Sequence, residues 1–176
     1  INPKNNKPIK ITNLVKHNNF WLIQDGNGFL IKVTPLDNDT FDYQIITEFH
    51  SGPILKATFV ANLPLVIAQG SDKKVSVSSF ASNMTFFPGR LLLSDPLEEP
   101  TLIPTCCDIP QKDSQDEPLI ITVGYNNGMF KIFALNPIQK ALDVIFQTKP
   151  HEDPITKILF SPDGSYLCTT TKKEIF

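Results

Sequence analysis

Arginine is almost missing from this chain. Arg90 is the only one, and 16 Lys+Arg residues stand against 18 Asp+Glu, a formal charge of -2. No basic run occurs, so electrostatic capture of nucleic acid or of an anionic membrane has no support. No apolar run reaches the roughly 18 residues of a membrane span. Three cysteines, Cys106, Cys107 and Cys168, lack C-x-x-C spacing, which argues against a disulfide framework or a zinc site and fits a reducing compartment. The sequence also lacks a G-x-S-x-G elbow, a Walker glycine loop and a dinucleotide fingerprint, so the common nucleophile and phosphate-binding chemistries have no carrier. Neither a methionine nor a signal core stands at Ile1-Asn2-Pro3-Lys4, and the chain is read as a piece of a longer protein.

Methionine is scarce, at two, whereas phenylalanine reaches 13 and proline 15. That balance favours strands punctuated by turns, and the fold class expected is all-β. A repeat supports it. Lys7-Pro8-Ile9, Gly52-Pro53-Ile54, Glu99-Pro100-Thr101 and Asp153-Pro154-Ile155 mark four starts, the prolines being spaced by 45, 47 and 54 residues. Four-stranded propeller blades have about this length. Inside the first three units an apolar run, a Gly/Asn/Asp turn and an alternating run follow in order: Trp21–Asp25, Gly26–Gly28 and Phe29–Val33; Leu65–Gln69, Gly70–Asp72 and Val75–Phe80; Leu119–Val123, Gly124–Gly128 and Phe130–Phe133. Each triplet is a β-hairpin signature. Fourth strands are expected at Tyr43–Thr47, Met84–Phe87 and Leu142–Gln147. The polar stretch Gln111–Glu117 reads as an insertion loop. In the last unit Ser161-Pro162-Asp163-Gly164 turns one short strand into another, with proline and glycine supplying the turn geometry.

These features predict about three and a half four-stranded blades over residues 7–49, 50–98, 99–150 and an incomplete 151–176. His50 and His151 open the second and fourth units, while the corresponding place near Glu98-Glu99 has no histidine. Both histidines are read as structural, because no His/Cys/carboxylate cluster with ligand spacing surrounds them. Asp25-Gly26-Asn27-Gly28 is a turn and no calcium loop, since Leu36 stands where the bidentate glutamate belongs. Neither a metal nor a cofactor is expected. Adjacent Cys106 and Cys107 are expected to pack as small apolar side chains.

In order and phrasing, Trp21–Gly28, Glu48–Ile54, Val123–Phe133 and Lys149–Thr156, followed by Ile175-Phe176, resemble the degenerate WD-repeat propellers of cilia- and flagella-associated proteins. That resemblance implies a hydrogen bond from His50 to Asp72 in the turn two strands later, and gives Asp163 and Gly164 a structural role in the blade-opening turn. It also implies a non-catalytic scaffold of the ciliary axoneme. The partners implied are a sister WD-repeat tether subunit, inner-arm dynein, proteins of the doublet microtubule and the remaining blades of the same protein. A cytosolic WD-repeat scaffold in trafficking or ubiquitin-ligase assembly is the rival reading, and a propeller hydrolase is a third. Propellers bind through inter-strand loops, so candidate contacts are Gly52, Pro53, Glu99 and Asp153 on one face and Asp113, Asp116 and Glu117 in the insertion.

Overall fold

A computed structural model describes the chain apart from residues 1–5, 7, 18, 38, 48–49, 61–62, 80–89, 95–99, 111–117 and 137–140. Its regular elements are all strands. The first sheet is an antiparallel meander of β1 (Ile11–His17), β2 (Phe20–Asp25), β3 (Leu30–Pro35) and β4 (Phe41–Thr47). The second repeats the order with β5 (Ile54–Phe59), β6 (Leu65–Gly70), β7 (Val75–Ser79) and β8 (Arg90–Ser94). The third contains β9 (Pro104–Asp108), β10 (Ile120–Tyr125), β11 (Phe130–Asn136) and β12 (Ala141–Thr148), and a two-stranded sheet of β13 (Lys157–Phe160) and β14 (Leu167–Thr170) follows. This is a partial β-propeller of three full blades and the first half of a fourth, here blades 1 to 4. No helix among the described residues is long and apolar enough to cross a membrane.

Alternation along the strands decides what each blade buries. In β6, Leu65 and Ile67 point towards blade 3 and join Val75, Val77, Cys107, Ile121, Val123 and Tyr125 in one core. Their neighbours Val66 and Ala68 point the other way, against Phe20, Leu22 and Leu30 of blade 1. A third cluster of Cys106, Phe130, Ile155 and Ile158 closes blade 3 on blade 4. Apolar burial at these joints, at roughly 25 cal/mol per Å² removed from water, is the main force that stacks the blades.

The register carries a finer repeat than the sequence does. A bulge interrupts the first strand of blades 1, 2 and 3 at the same depth, between Ile11 and Asn13, between Ile54 and Lys56, and opposite Gly124 and Tyr125. The backbone bonds Gly26 N–H to Lys10 O, Ser71 N–H to Pro53 O and Asn126 N–H to Ile103 O make Lys10, Pro53 and Ile103 equivalent. Pro8 and Pro100 therefore lie upstream of the position that Pro53 occupies. Proline marks a local backbone preference, whereas equivalence is set by the cross-strand bonds. Similarly, Gly124 is a strand residue paired with Cys106 and Phe130, and the hairpin turn proper begins at Asn126. The outer strand of blade 2 is Arg90–Ser94; the expected strand at Met84–Phe87 lies outside the described residues.

Candidate interaction site at the blade joints and inner rim

Two buried histidines staple the loops that enter blades 2 and 4. His50 Nδ1 lies 2.9 Å from Asp72 Oδ1, and its Nε2 lies 3.0 Å from Ser76 Oγ. An ionised carboxylate only accepts, so in the neutral ring Nδ1 carries the proton and Nε2 accepts from the serine hydroxyl. Asp72 also accepts from the Ser51 N–H at 2.9 Å, tying the entering loop to the turn between β6 and β7. Burial alone would raise the Asp72 carboxyl; the bonds from His50 and from the Ser51 and Lys74 backbone, with the charge interaction of His50, outweigh it and hold the group below its usual 3.8.

His151 repeats the device with different partners. Its Nε2 is 2.8 Å from Thr169 Oγ1 and its Nδ1 is 2.9 Å from Glu174 Oε1. The turn after β14 closes from Thr171 N–H to Glu174 O, one residue tighter than the closure from Gly70 N–H to Lys74 O, and the longer glutamate makes up the reach. The Glu174 side chain is 52% exposed against 8% for Asp72, so solvent weakens the blade 4 pair.

Sequence reasoning missed Glu174, Ser76 and Thr169. A hydroxyl on the second strand serves His151, but in blade 2 the hydroxyl sits on the third strand as Ser76. Ser76 pairs directly across the ladder with Ala68, so the two occupy one face and the oxygen has moved one strand outward. The Thr169–Glu174 spacing carries the sequence signal, with glutamate in the place that Asp72 takes in blade 2.

Hydroxyl, imidazole and carboxylate in a row also describe a hydrolase triad. Ser76 is 0% exposed and His50 4%, so no substrate carbonyl reaches the oxygen, and this arrangement holds loops together. Among the described residues no group of three His, Cys, Asp or Glu is placed to hold a metal ion. Cys106 and Cys107 are both buried, one on each face of blade 3; burial pushes the Cys107 thiol up to about 11, against a smaller opposing effect of Lys56.

The remaining candidates separate into two groups. Asp163 and Gly164 form the turn between β13 and β14, where Gly164 N–H donates to Ser161 O at 2.8 Å and Asp163 accepts from Ser161 Oγ and the Ser165 N–H. Gly52 and Pro53 lie on the loop that His50 anchors, with Gly52 against Ser71, and Asp153 pairs with Lys173 at 2.7 Å. Glu99, Asp113, Asp116 and Glu117 lie outside the described residues.

On the inner rim, the first strands of blades 2, 3 and 4 enclose a cleft of about 360 Å³ lined by Leu55, Lys56, Thr105, Thr156, Lys157 and Leu159, among others. Lys56 crosses to blade 3 and donates from Nζ to Cys107 O at 2.7 Å. Gln69 makes a parallel crossing to Pro104 O at 3.4 Å.

Comparison with known proteins agrees with the propeller. No family model matches the chain. It is similar to Cilia- and flagella-associated protein 44 of Mus musculus, with 27% identity over 97% of this chain and 10% of that protein. The chain thus spans about a tenth of that relative's length. Among solved structures it superposes on Sqt1 from Chaetomium thermophilum, a WD-repeat protein, with TM-score 0.63 and 19% identity over 87% of this chain and 38% of that one. The computationally designed Ika4 protein gives TM-score 0.59 and 13% identity over 98% of this chain and 93% of that one. The fold is that of a β-propeller, and the family resemblance read from the sequence takes in this ciliary protein.

Proposed function

We propose that this chain is a non-catalytic protein-interaction scaffold of the ciliary or flagellar axoneme. The observation that carries the reading is the similarity to the mouse ciliary protein along 97% of the chain. The architecture supports it chemically. The loops that join the blades use the buried His50, Ser76, His151 and Thr169, with the partly buried Asp72, to hold the array together, which leaves other loops and the rims as the surfaces offered to partners. In its finer form the proposal is that the parent protein, with a sister WD-repeat subunit, tethers inner-arm dynein motor domains to the doublet microtubule, and that this region belongs to the propeller which the remaining blades complete.

Tagging the parent protein in a ciliated cell and fractionating the axoneme tests this directly. Retention on demembranated axonemes, with proximity labelling that returns inner-arm dynein subunits, is the expected result. A protein that stays in the cell body and labels coat or ubiquitin-ligase subunits would move the reading to a cytosolic scaffold.

A further inference from the structure

Innermost strands in a propeller border the central channel, and large apolar side chains there need a reason. Leu55 is 62% exposed and Leu159 is 43% exposed, one on β5 and the other on β13, and both line one cleft with Thr105 of β9. Two lysines flank them. Lys157 is exposed, and Lys56 is held in place by its 2.7 Å bond to Cys107 O, leaving two further N–H donors on the ammonium. Of the carboxylates nearest in sequence to the lining, Asp108 accepts the Phe160 backbone N–H at 3.1 Å and Asp153 pairs with Lys173 at 2.7 Å. The cleft therefore presents positive charge and exposed leucine together, in a protein whose net charge is -2.

We propose that this inner-rim cleft docks an extended acidic peptide segment of a partner protein, with an apolar side chain seated between Leu55 and Leu159 and flanking carboxylates meeting Lys56 and Lys157. The assignment rests on the scaffold reading and gives that scaffold a surface and a ligand chemistry. A volume of about 360 Å³ lies at the low end of the roughly 300–1,000 Å³ typical of specific pockets, which suits one or two side chains of a linear segment better than a folded surface. A peptide is favoured over single-stranded nucleic acid because the lining offers no aromatic ring for a base to stack on. Charge complementarity selects the acidic sequence, and the two leucines supply the apolar anchor.

The test is fluorescence anisotropy on the full chain, with a short labelled peptide of alternating aspartate and leucine. Two companion peptides replace leucine by serine or aspartate by lysine. Saturable binding is expected, weakened about tenfold by Lys157→Glu or by Leu55→Ser, both exposed positions, and unchanged in Lys149→Glu, exposed just after the outer strand β12. Either companion peptide should bind at least about tenfold more weakly. Equal binding of the serine peptide, equal competition by a DNA oligonucleotide, or wild-type affinity in both cleft variants would overturn the proposal. Circular dichroism of each variant separates a lost site from a lost fold. Binding in this assay by a protein that stays out of cilia would refute the axonemal address alone; an axonemal protein without binding would refute the cleft alone.

Discussion

Substituting Gly128 by alanine should destabilise the protein by about 2–4 kcal/mol, while Lys73→Gly at the equivalent place in blade 2 should stabilise it by about 0.5–1 kcal/mol. Both positions have positive φ, +83° at Gly128 and +65° at Lys73, and both close a turn by donating N–H to a carbonyl three residues back. An L side chain in this region costs about 1–2 kcal/mol. At Gly128 a second term is added, because a Cβ would stand 1.9 Å from the His151 carbonyl oxygen and 3.0 Å from that of Asp153, so blades 3 and 4 must separate to admit it. Overpacking of that kind costs about 1–3 kcal/mol, offset by about 0.4–1 kcal/mol from the stiffer unfolded chain. Lys73 already bears the conformational strain, and glycine there relieves it less the same unfolded-state term. Urea unfolding followed by tryptophan fluorescence and far-ultraviolet circular dichroism resolves both, since an m value of about 1–3 kcal/mol/M turns the Gly128 loss into a midpoint shift of order 1 M. Gly28→Ala should behave like Gly128→Ala, its Cβ meeting the His50 carbonyl oxygen at 2.2 Å. Coincident midpoints for wild type and Gly128→Ala, or a destabilised Lys73→Gly, would refute the joint geometry.

Two further outcomes follow from buried groups. The folded-state pKa of Asp72 is depressed, so its contribution to stability is present above the unfolded carboxylate value near 3.9 and is lost as pH falls through the folded value. Wild type should therefore lose its advantage over Asp72→Asn below about pH 4; a stability difference that stays constant from pH 7 to pH 3 would show that the carboxylate charge is not what holds the loop. Burial raises the thiol pKa of both Cys106 and Cys107, whereas Cys168 is only partly buried. Iodoacetamide at neutral pH should thus label Cys168 first and the adjacent pair only on unfolding, as read by peptide mass spectrometry. Native-state labelling of Cys107 at the rate of Cys168 would contradict the packing of β9.

The hairpins were legible because period-two alternation and Gly/Asn turns are local properties. Phe20–Asp25 alternates buried and half-buried positions until Gln24 and Asp25, and its turn residues are those its geometry demands. Equivalence between blades was less legible, since Pro8 and Pro100 marked similar backbone preferences at different depths. The His50 to Asp72 bond could be anticipated from the WD-repeat pattern, but its third member could not. Whether a hydroxyl stands at Ala68 or across the ladder at Ser76 depends on which residues pair, and pairing is written in hydrogen bonds between strands. The rim cleft was invisible for the same reason: Leu55 and Leu159 stand more than two blades' worth of sequence apart, and only the stacking of blades brings them to one opening.

The three apolar joints are unequal, and that inequality sets an order of opening. Among the described residues, twelve buried side chains join blades 2 and 3, seven join blades 1 and 2, and four join blade 3 to the half-blade. Each blade is held by its neighbours, so among the described joints local opening is hardest where the coupling is strongest. Amide hydrogens of β6 and β10, on either side of the joint of twelve, should exchange more slowly than those of β2, whose joint to blade 2 holds seven. Blades 2 and 3 then behave as one cooperative unit, and a partner bound across their joint meets the surface least given to opening.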